Sequence, residues 1–124
     1  MLNAIKSICE WNEIAGNKWK FNRHLETSML SEELSEVIIA LKEKDNIEAV
    51  DWILDVFWVW IGTLYKLWLS PEQINDCFEE IKASNFSKFI KSEDGKTIAL
   101  KDETWKILKP KTHFKPNLEQ FLNK

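Results

Sequence analysis

Glycine and proline are scarce, with three of each in 124 residues. That shortage excludes collagen-like and Gly/Pro-rich disordered chains and leaves room for long uninterrupted helices. No glycine-rich phosphate loop is present. Cysteine is limited to Cys9 and Cys77, far apart and without metal-site spacing, which reads as two reduced thiols of a cytoplasmic protein. His24 and His113 are the only histidines, so a zinc site or a histidine-based nucleophilic triad has little to be built from. Basic residues are not in excess: 17 Lys and Arg face 20 Asp and Glu, a net charge of -3. That balance argues against a general nucleic-acid binder. Residues Met1 to Glu10 lack the basic start and apolar centre of a signal peptide. The one strongly apolar stretch, Trp52 to Leu69, contains Asp55, Gly62 and Lys66. Lipid rarely tolerates an unpaired Asp, so this stretch reads as a buried helix of a bundle rather than a membrane span.

What is abundant is aromatic and charged surface. Seven tryptophans require burial in a core, an interface or under a ligand. With 44% apolar and 30% charged residues, the chain reads as one globular domain over residues 1–124, with a helical core at about 2–84 and a tail at 85–124. Four helices are predicted. The first spans Leu2 to Ala15, with Gly16 as its C-terminal cap. The second spans Asn22 to Lys44, where Leu25, Met29, Leu34, Val37, Ile38 and Leu41 recur at helical spacing. The third spans Asp45 to Trp68. Asp45 and Glu48 stand as N-cap and N3, and from Trp52 the helix is apolar nearly all round, which predicts burial on every side and packing against another subunit. The fourth opens at Ser70-Pro71-Glu72-Gln73, a strong start signal, and runs to about Ala83. Beyond Ser84, Asp94-Gly95 signals a tight turn, Thr97 to Leu108 an extended or hairpin-like piece, and Asn117 to Leu122 a short last helix. The fold class is therefore all-α, a four-helix bundle with a partly extended C-terminal tail.

Two of these helices carry acidic stripes. Glu33 and Glu36 are three apart on the second helix, with Glu26 and Glu32 nearby on the wheel. On the third, Asp51 and Asp55 are four apart and Glu48 precedes Asp55 by seven. Asp55 heads the most apolar run of the chain, where an uncompensated charge is costly. A bound cation removes that cost, and Mg²⁺ prefers such oxygen ligands while keeping waters that a phosphate can replace. Carboxylate pairs on facing helices are one way to build metal sites in bundles. The plain alternative is solvated or helix-capping acids, or a buried Asp paired with a Lys.

Glu33-x-x-Glu36, a short gap and an acidic helix reaching Asp55-Val56 before an aromatic run resemble the all-α nucleotide pyrophosphohydrolase superfamily. That group holds MazG-like proteins, dimeric dUTPases and phosphoribosyl-ATP pyrophosphohydrolases. Ala83-Ser84-Asn85-Phe86-Ser87-Lys88 resembles the Ser-Asn-Met-Ser-Lys segment that follows the fourth helix in MazG-like members, and Asp94-Gly95-Lys96, Lys109-Pro110 and Pro116-Asn117-Leu118 resemble their tails. The likeness covers about Glu32 to Leu118. One departure stands out: Trp52 occupies a position where the signature has an acid, and Asp51-x-x-x-Asp55 stands in its place.

The resemblance implies a MazG-like domain that hydrolyses a nucleoside triphosphate (NTP or dNTP) to the monophosphate and pyrophosphate. Glu33, Glu36, Asp51 and Asp55 would hold Mg²⁺, with Mn²⁺ possible, and Glu33 or Glu36 would activate the attacking water. Asn85 and Lys88 would meet the phosphates, although Asn85 is equally well read as a helix cap. Trp11, Trp19 and Phe21 are candidates to stack on the base, with ordinary packing as the alternative for each. The partners implied are a nucleotide and a second copy of the chain, as a homodimer or dimer-based tetramer, with no nucleic acid and no membrane. Two rival readings stay open: a dUTPase- or dCTPase-like enzyme that also accepts diphosphates, and a non-catalytic helical oligomeric binding module.

Overall fold

The computed structural model describes residues 1–122. It is all-α, with four long helices and a small two-stranded sheet: α1 (Leu2–Ile14), a 3-10 turn (Asn17–Lys20), α2 (Arg23–Glu43), α3 (Asn46–Lys66), α4 (Pro71–Phe86), β1 (Ile90–Lys91), β2 (Thr97–Ile98) and α5 (Glu119–Leu122). The chain divides into two compact units, Met1–Ile74 and Asn75–Lys124, with the boundary inside α4.

The helix ends follow from local chemistry. Gly16, at φ 68°, takes the left-handed conformation that closes α1, and its N–H reaches the Glu13 carbonyl. Asn22 caps α2 by accepting from the Leu25 N–H at 3.1 Å, and Asp45 caps α3 by accepting from the Glu48 N–H at 3.1 Å. Between them Lys44 alone turns the chain, at φ 59°, so α2 and α3 form an antiparallel hairpin with a two-residue link. The predicted start of α4 forms in full: the Ser70 Oγ accepts from the Gln73 N–H and the Gln73 Oε1 accepts from the Ser70 N–H. The α4 helix then continues to Phe86, a few residues past the predicted end.

In the first unit α2 and α3 lie along one another and α1 packs on α3. The core is Ile5, Cys9, Tyr65 and Ile74, flanked by Ile61, Leu64 and Leu69. Tyr65 donates its phenol hydrogen to the Glu13 carboxylate. That bond, reinforced by burial, pushes its pKa up to about 12. The Lys18 ammonium lies over the Tyr65 ring at 4.0 Å and the Trp68 ring at 4.6 Å.

The third helix is expected to be buried from Trp52 onward with the help of another subunit; on the single chain Ile53, Leu54 and Trp60 are exposed, as are Ile47 and Val50 before them. Asp55 is exposed too, so the desolvation cost assigned to it does not arise here. Its apolar neighbours in sequence point to other faces of the helix, because successive residues lie about 100° apart.

In the second unit β1 and β2 pair antiparallel, Ile90 with Ile98 and Lys91 with Thr97, around a turn where Gly95 takes φ 81°. Lys101 and Ile107 form a further isolated bridge, so Thr97 to Leu108 is partly hairpin-like, as predicted. His113 has partners that the sequence did not suggest. Its Nδ1 lies 2.9 Å from the Ser87 hydroxyl and 3.1 Å from the Ser84 carbonyl, tying the tail to the end of α4. Among the described residues no helix is long and apolar enough to cross a membrane.

Candidate active site

The α2–α3 hairpin sets two stripes against each other. On α2, Glu26, Met29, Glu33 and Glu36 recur at steps of three and four. On α3, Asp55, Val59, Gly62 and Lys66 do the same. At the open end of the hairpin Lys66 donates to Glu26, reaching Oε2 at 3.1 Å, and the two side chains are 12% and 7% exposed. Further along lies a pocket with Met29 on one side and Val59 and Gly62 on the other. The acids lie nearer the Lys44–Asp45 link. The Glu33 carboxyl is held above its ordinary pKa, first by partial burial and then by the charges of Glu36, Asp55 and Glu32.

Three of the four expected metal ligands, Glu33, Glu36 and Asp55, thus share one electrostatic neighbourhood across two helices. Asp51 lies one turn before Asp55 and is exposed. Among the described residues no three carboxylate, cysteine or histidine groups converge closely enough to form a ready-made metal cage. The donors are nonetheless of the right kind. They are hard oxygens whose mutual repulsion a divalent cation would relieve, and Mg²⁺ commonly takes one or two carboxylates together with substrate phosphates. Trp52, at the position where an acid was looked for, is half-buried.

The pocket, of about 110 Å³, is lined by Trp11, Asn12, Asn17, Met29, Trp58, Val59, Gly62 and Lys66. Trp11 meets Trp58 edge-to-face at 5.9 Å between ring centroids. A neighbouring pocket of about 230 Å³ shares Asn17, Met29 and Lys66 and adds Phe21, Lys20, Asn22, Leu25 and Glu26. Of the aromatic residues proposed for the base, Trp11 and Phe21 therefore line pockets. Trp19 is 79% exposed and packs edge-to-face on Trp68 at 5.3 Å. Asn85 and Lys88 belong to the second unit, where the Lys88 ammonium donates to the Asn85 Oδ1 at 2.9 Å.

Sequence reasoning missed three residues here. Glu26 looked like a surface acid but is buried on Lys66. The signal was the lone cation inside an apolar run, which needs an acid on the facing helix. Asn12 is 2% exposed and donates to the Ile8 carbonyl at 2.8 Å. It could have been suspected as a polar residue one turn after Ile8 on the buried face of α1. Gly62 has no side chain because Asn12 fills the space: a Cβ there would lie 2.8 Å from the Asn12 Nδ2.

No curated protein and no solved structure matches the chain. A family profile described as phosphoribosyl-ATP pyrophosphohydrolase matches residues 16–85, more than half of the chain and the whole of the α2–α3 hairpin. The chain accordingly belongs to the phosphoribosyl-ATP pyrophosphohydrolase family, within the MazG-like all-α pyrophosphohydrolase superfamily.

Proposed function

We propose that the chain hydrolyses a nucleoside triphosphate (NTP or dNTP) to the monophosphate and pyrophosphate with Mg²⁺, or Mn²⁺, as cofactor. Family membership points to a hydrolase that cleaves a nucleotide phosphoanhydride. The observation that carries the finer reading is the crowding of Glu33 by Glu36 and Asp55 across the α2–α3 groove. Like charges are drawn together there without a basic partner among the described residues, an arrangement that costs stability unless a cation offsets it.

Glu33, Glu36 and Asp55, with Asp51 at the edge, are the residues that would hold the ion. When bound, it would neutralise charge that develops on the phosphate oxygens. Of the two glutamates, one orients a water molecule toward the α-phosphorus and accepts its proton. The water oxygen forms the new bond to phosphorus, and the bridging oxygen leaves with its electron pair as part of pyrophosphate. No covalent intermediate and no histidine are required. Asn85 and Lys88 are proposed as phosphate ligands, Lys88 as a point charge. We also propose a homodimer or dimer-based tetramer. The exposed stripe Ile47, Val50 and Leu54 runs along α3 beside Asp51 and Asp55, and a second copy seated on it would cover the flank of the acids.

Pyrophosphate release from a panel of nucleotides, with and without Mg²⁺, tests the reading. Metal-dependent release should fall by about 10²- to 10⁴-fold in Glu33→Gln or Glu36→Gln if that residue is the base, and Asp55→Asn should raise the metal requirement. Folded protein that neither binds Mg²⁺ nor releases pyrophosphate from any nucleotide would refute it.

A further inference from the structure

The pocket between α1, α2 and α3 contains a polar relay whose direction is fixed from its buried end. The Ile8 carbonyl can only accept, so the Asn12 amide must present its Nδ2 there, at 2.8 Å. The Asn12 Oδ1 is then an acceptor, and it takes a hydrogen bond from the Asn17 Nδ2 at 2.9 Å. Asn17 is thereby turned so that its Oδ1 is the end left for an occupant, and Asn17 lines both adjoining pockets. Gly62 makes the relay possible, because any larger residue would occupy the place of the Asn12 amide. Lys66 lines the same pockets, its ammonium held on the Glu26 carboxylate, so a donor group stands beside them as well as an acceptor. The remaining walls are the Trp11–Trp58 pair, Val59 and Met29, flat or soft apolar surface suited to an aromatic ring.

The position is also telling. Gly62 and Val59 lie on the same stripe of α3 as Asp55, with Gly62 about 10 Å along the helix from it. A nucleotide whose phosphates meet Asp55 and Glu33 would bring its base to this pocket.

We propose that Asn17, oriented by Asn12, is a specificity-determining residue that selects a nucleobase carrying an exocyclic amino group beside a ring acceptor, the edge shared by cytosine and adenine. This rests on the nucleotide-hydrolase reading above. The base amino group donates to the Asn17 Oδ1 and the ring nitrogen accepts from Lys66. A uracil or hypoxanthine edge puts a carbonyl against the Asn17 Oδ1 and leaves both acceptors unpaired, which discriminates more strongly than a loss of apolar contact.

The test uses the α,β-methylene analogues of CTP, UTP, ATP and ITP, titrated calorimetrically into the full chain with Mg²⁺, alongside hydrolysis of the parent nucleotides. Wild type should bind the amino member of each pair about 10-fold or more tightly than its keto partner. Asn17→Ala should erase that preference. The cytosine and adenine arms decide which ring the pocket takes. Equal binding of amino and keto analogues, equal weakening of both by Asn17→Ala, or no binding of any analogue would overturn the proposal. Selective binding without hydrolysis of any parent nucleotide would sink the catalytic reading and leave the base pocket standing.

Discussion

Lys66 and Glu26 form a buried ion pair that joins α3 to α2 at the end of the hairpin farthest from the Lys44–Asp45 link. With one end tied by the link and the other by the pair, the two helices have little freedom to slide, and Glu33 is kept opposite Asp55. Removing one partner strands a buried charge, at a cost of about 3–5 kcal/mol. Glu26→Leu and Lys66→Met should therefore each lower the melting temperature markedly. The double replacement Glu26→Leu with Lys66→Met should recover much of the loss, since an apolar pair can substitute for a buried ion pair. A thermal-melt cycle of the four proteins measures the coupling. Additive losses would mean that the pair does not hold the register.

The crowded carboxylates make a prediction about pH. The Glu33 carboxyl has a folded-state pKa raised above its ordinary 4.5 by partial burial and by Glu36, Asp55 and Glu32. The folded state therefore holds that proton more tightly than the unfolded state. Its contribution to stability is complete below the ordinary value and is lost as pH rises through the raised one. In the metal-free protein Glu33→Gln should thus melt higher than wild type at neutral pH, and the difference should close as pH falls below about 4. Melts in a chelating buffer across that range check the sign. Adding Mg²⁺ at neutral pH should stabilise wild type more than the variant, because an ion bound only by the folded state adds to its stability.

Legibility in the sequence followed the range of the interactions. Caps are encoded within four residues, so Asp45 with Glu48, Ser70 with Gln73 and Gly16 after α1 were all readable. The acidic stripes were readable because helical periodicity is local. Burial was harder. Asp55 looked buried because of its neighbours along the chain, but it is exposed, although it shares its stripe of α3 with the buried Gly62. The partner of Lys66 is forty residues away and that of His113 twenty-six, distances over which no spacing rule operates. Asn12 and Gly62, fifty residues apart, are intelligible only as a pair, since each explains the shape of the other.

That pair supplies a third prediction. Gly62→Ala should gain about 1 kcal/mol of helix propensity on the interior of α3. Its new Cβ, however, would lie 2.8 Å from the Asn12 Nδ2. Asn12 cannot swing away without giving up its bonds to Ile8 and Asn17. Overpacking of this kind costs about 1–3 kcal/mol, so the variant should be less stable than wild type despite the better helix former. Combining it with Asn12→Ala relieves the clash. The double variant should be more stable than Gly62→Ala alone, and urea unfolding of both separates a steric cause from a general intolerance at the site.

The last prediction concerns the uncovered side of α3. Ile47, Val50 and Leu54 stand at steps of three and four, and each is more than half exposed on the single chain. Along α2, Leu34, Ile38 and Leu41 form a second exposed apolar series. Scattered apolar residues on a surface need no explanation, but contiguous helical stripes mark surfaces that another chain covers. If a second copy covers the α3 stripe, Leu54→Glu should place a charge in that interface and shift the protein toward monomer in light scattering, with its helical circular dichroism retained. Because the stripe borders Asp51 and Asp55, the monomeric form should also lose Mg²⁺-dependent stabilisation, whereas an Ile14→Glu control on the exposed end of α1 should change neither property. A wild-type chain that is monomeric at high micromolar concentration would contradict the dimer. A Leu54→Glu monomer that still responds fully to Mg²⁺ would show that each chain completes its carboxylate site alone.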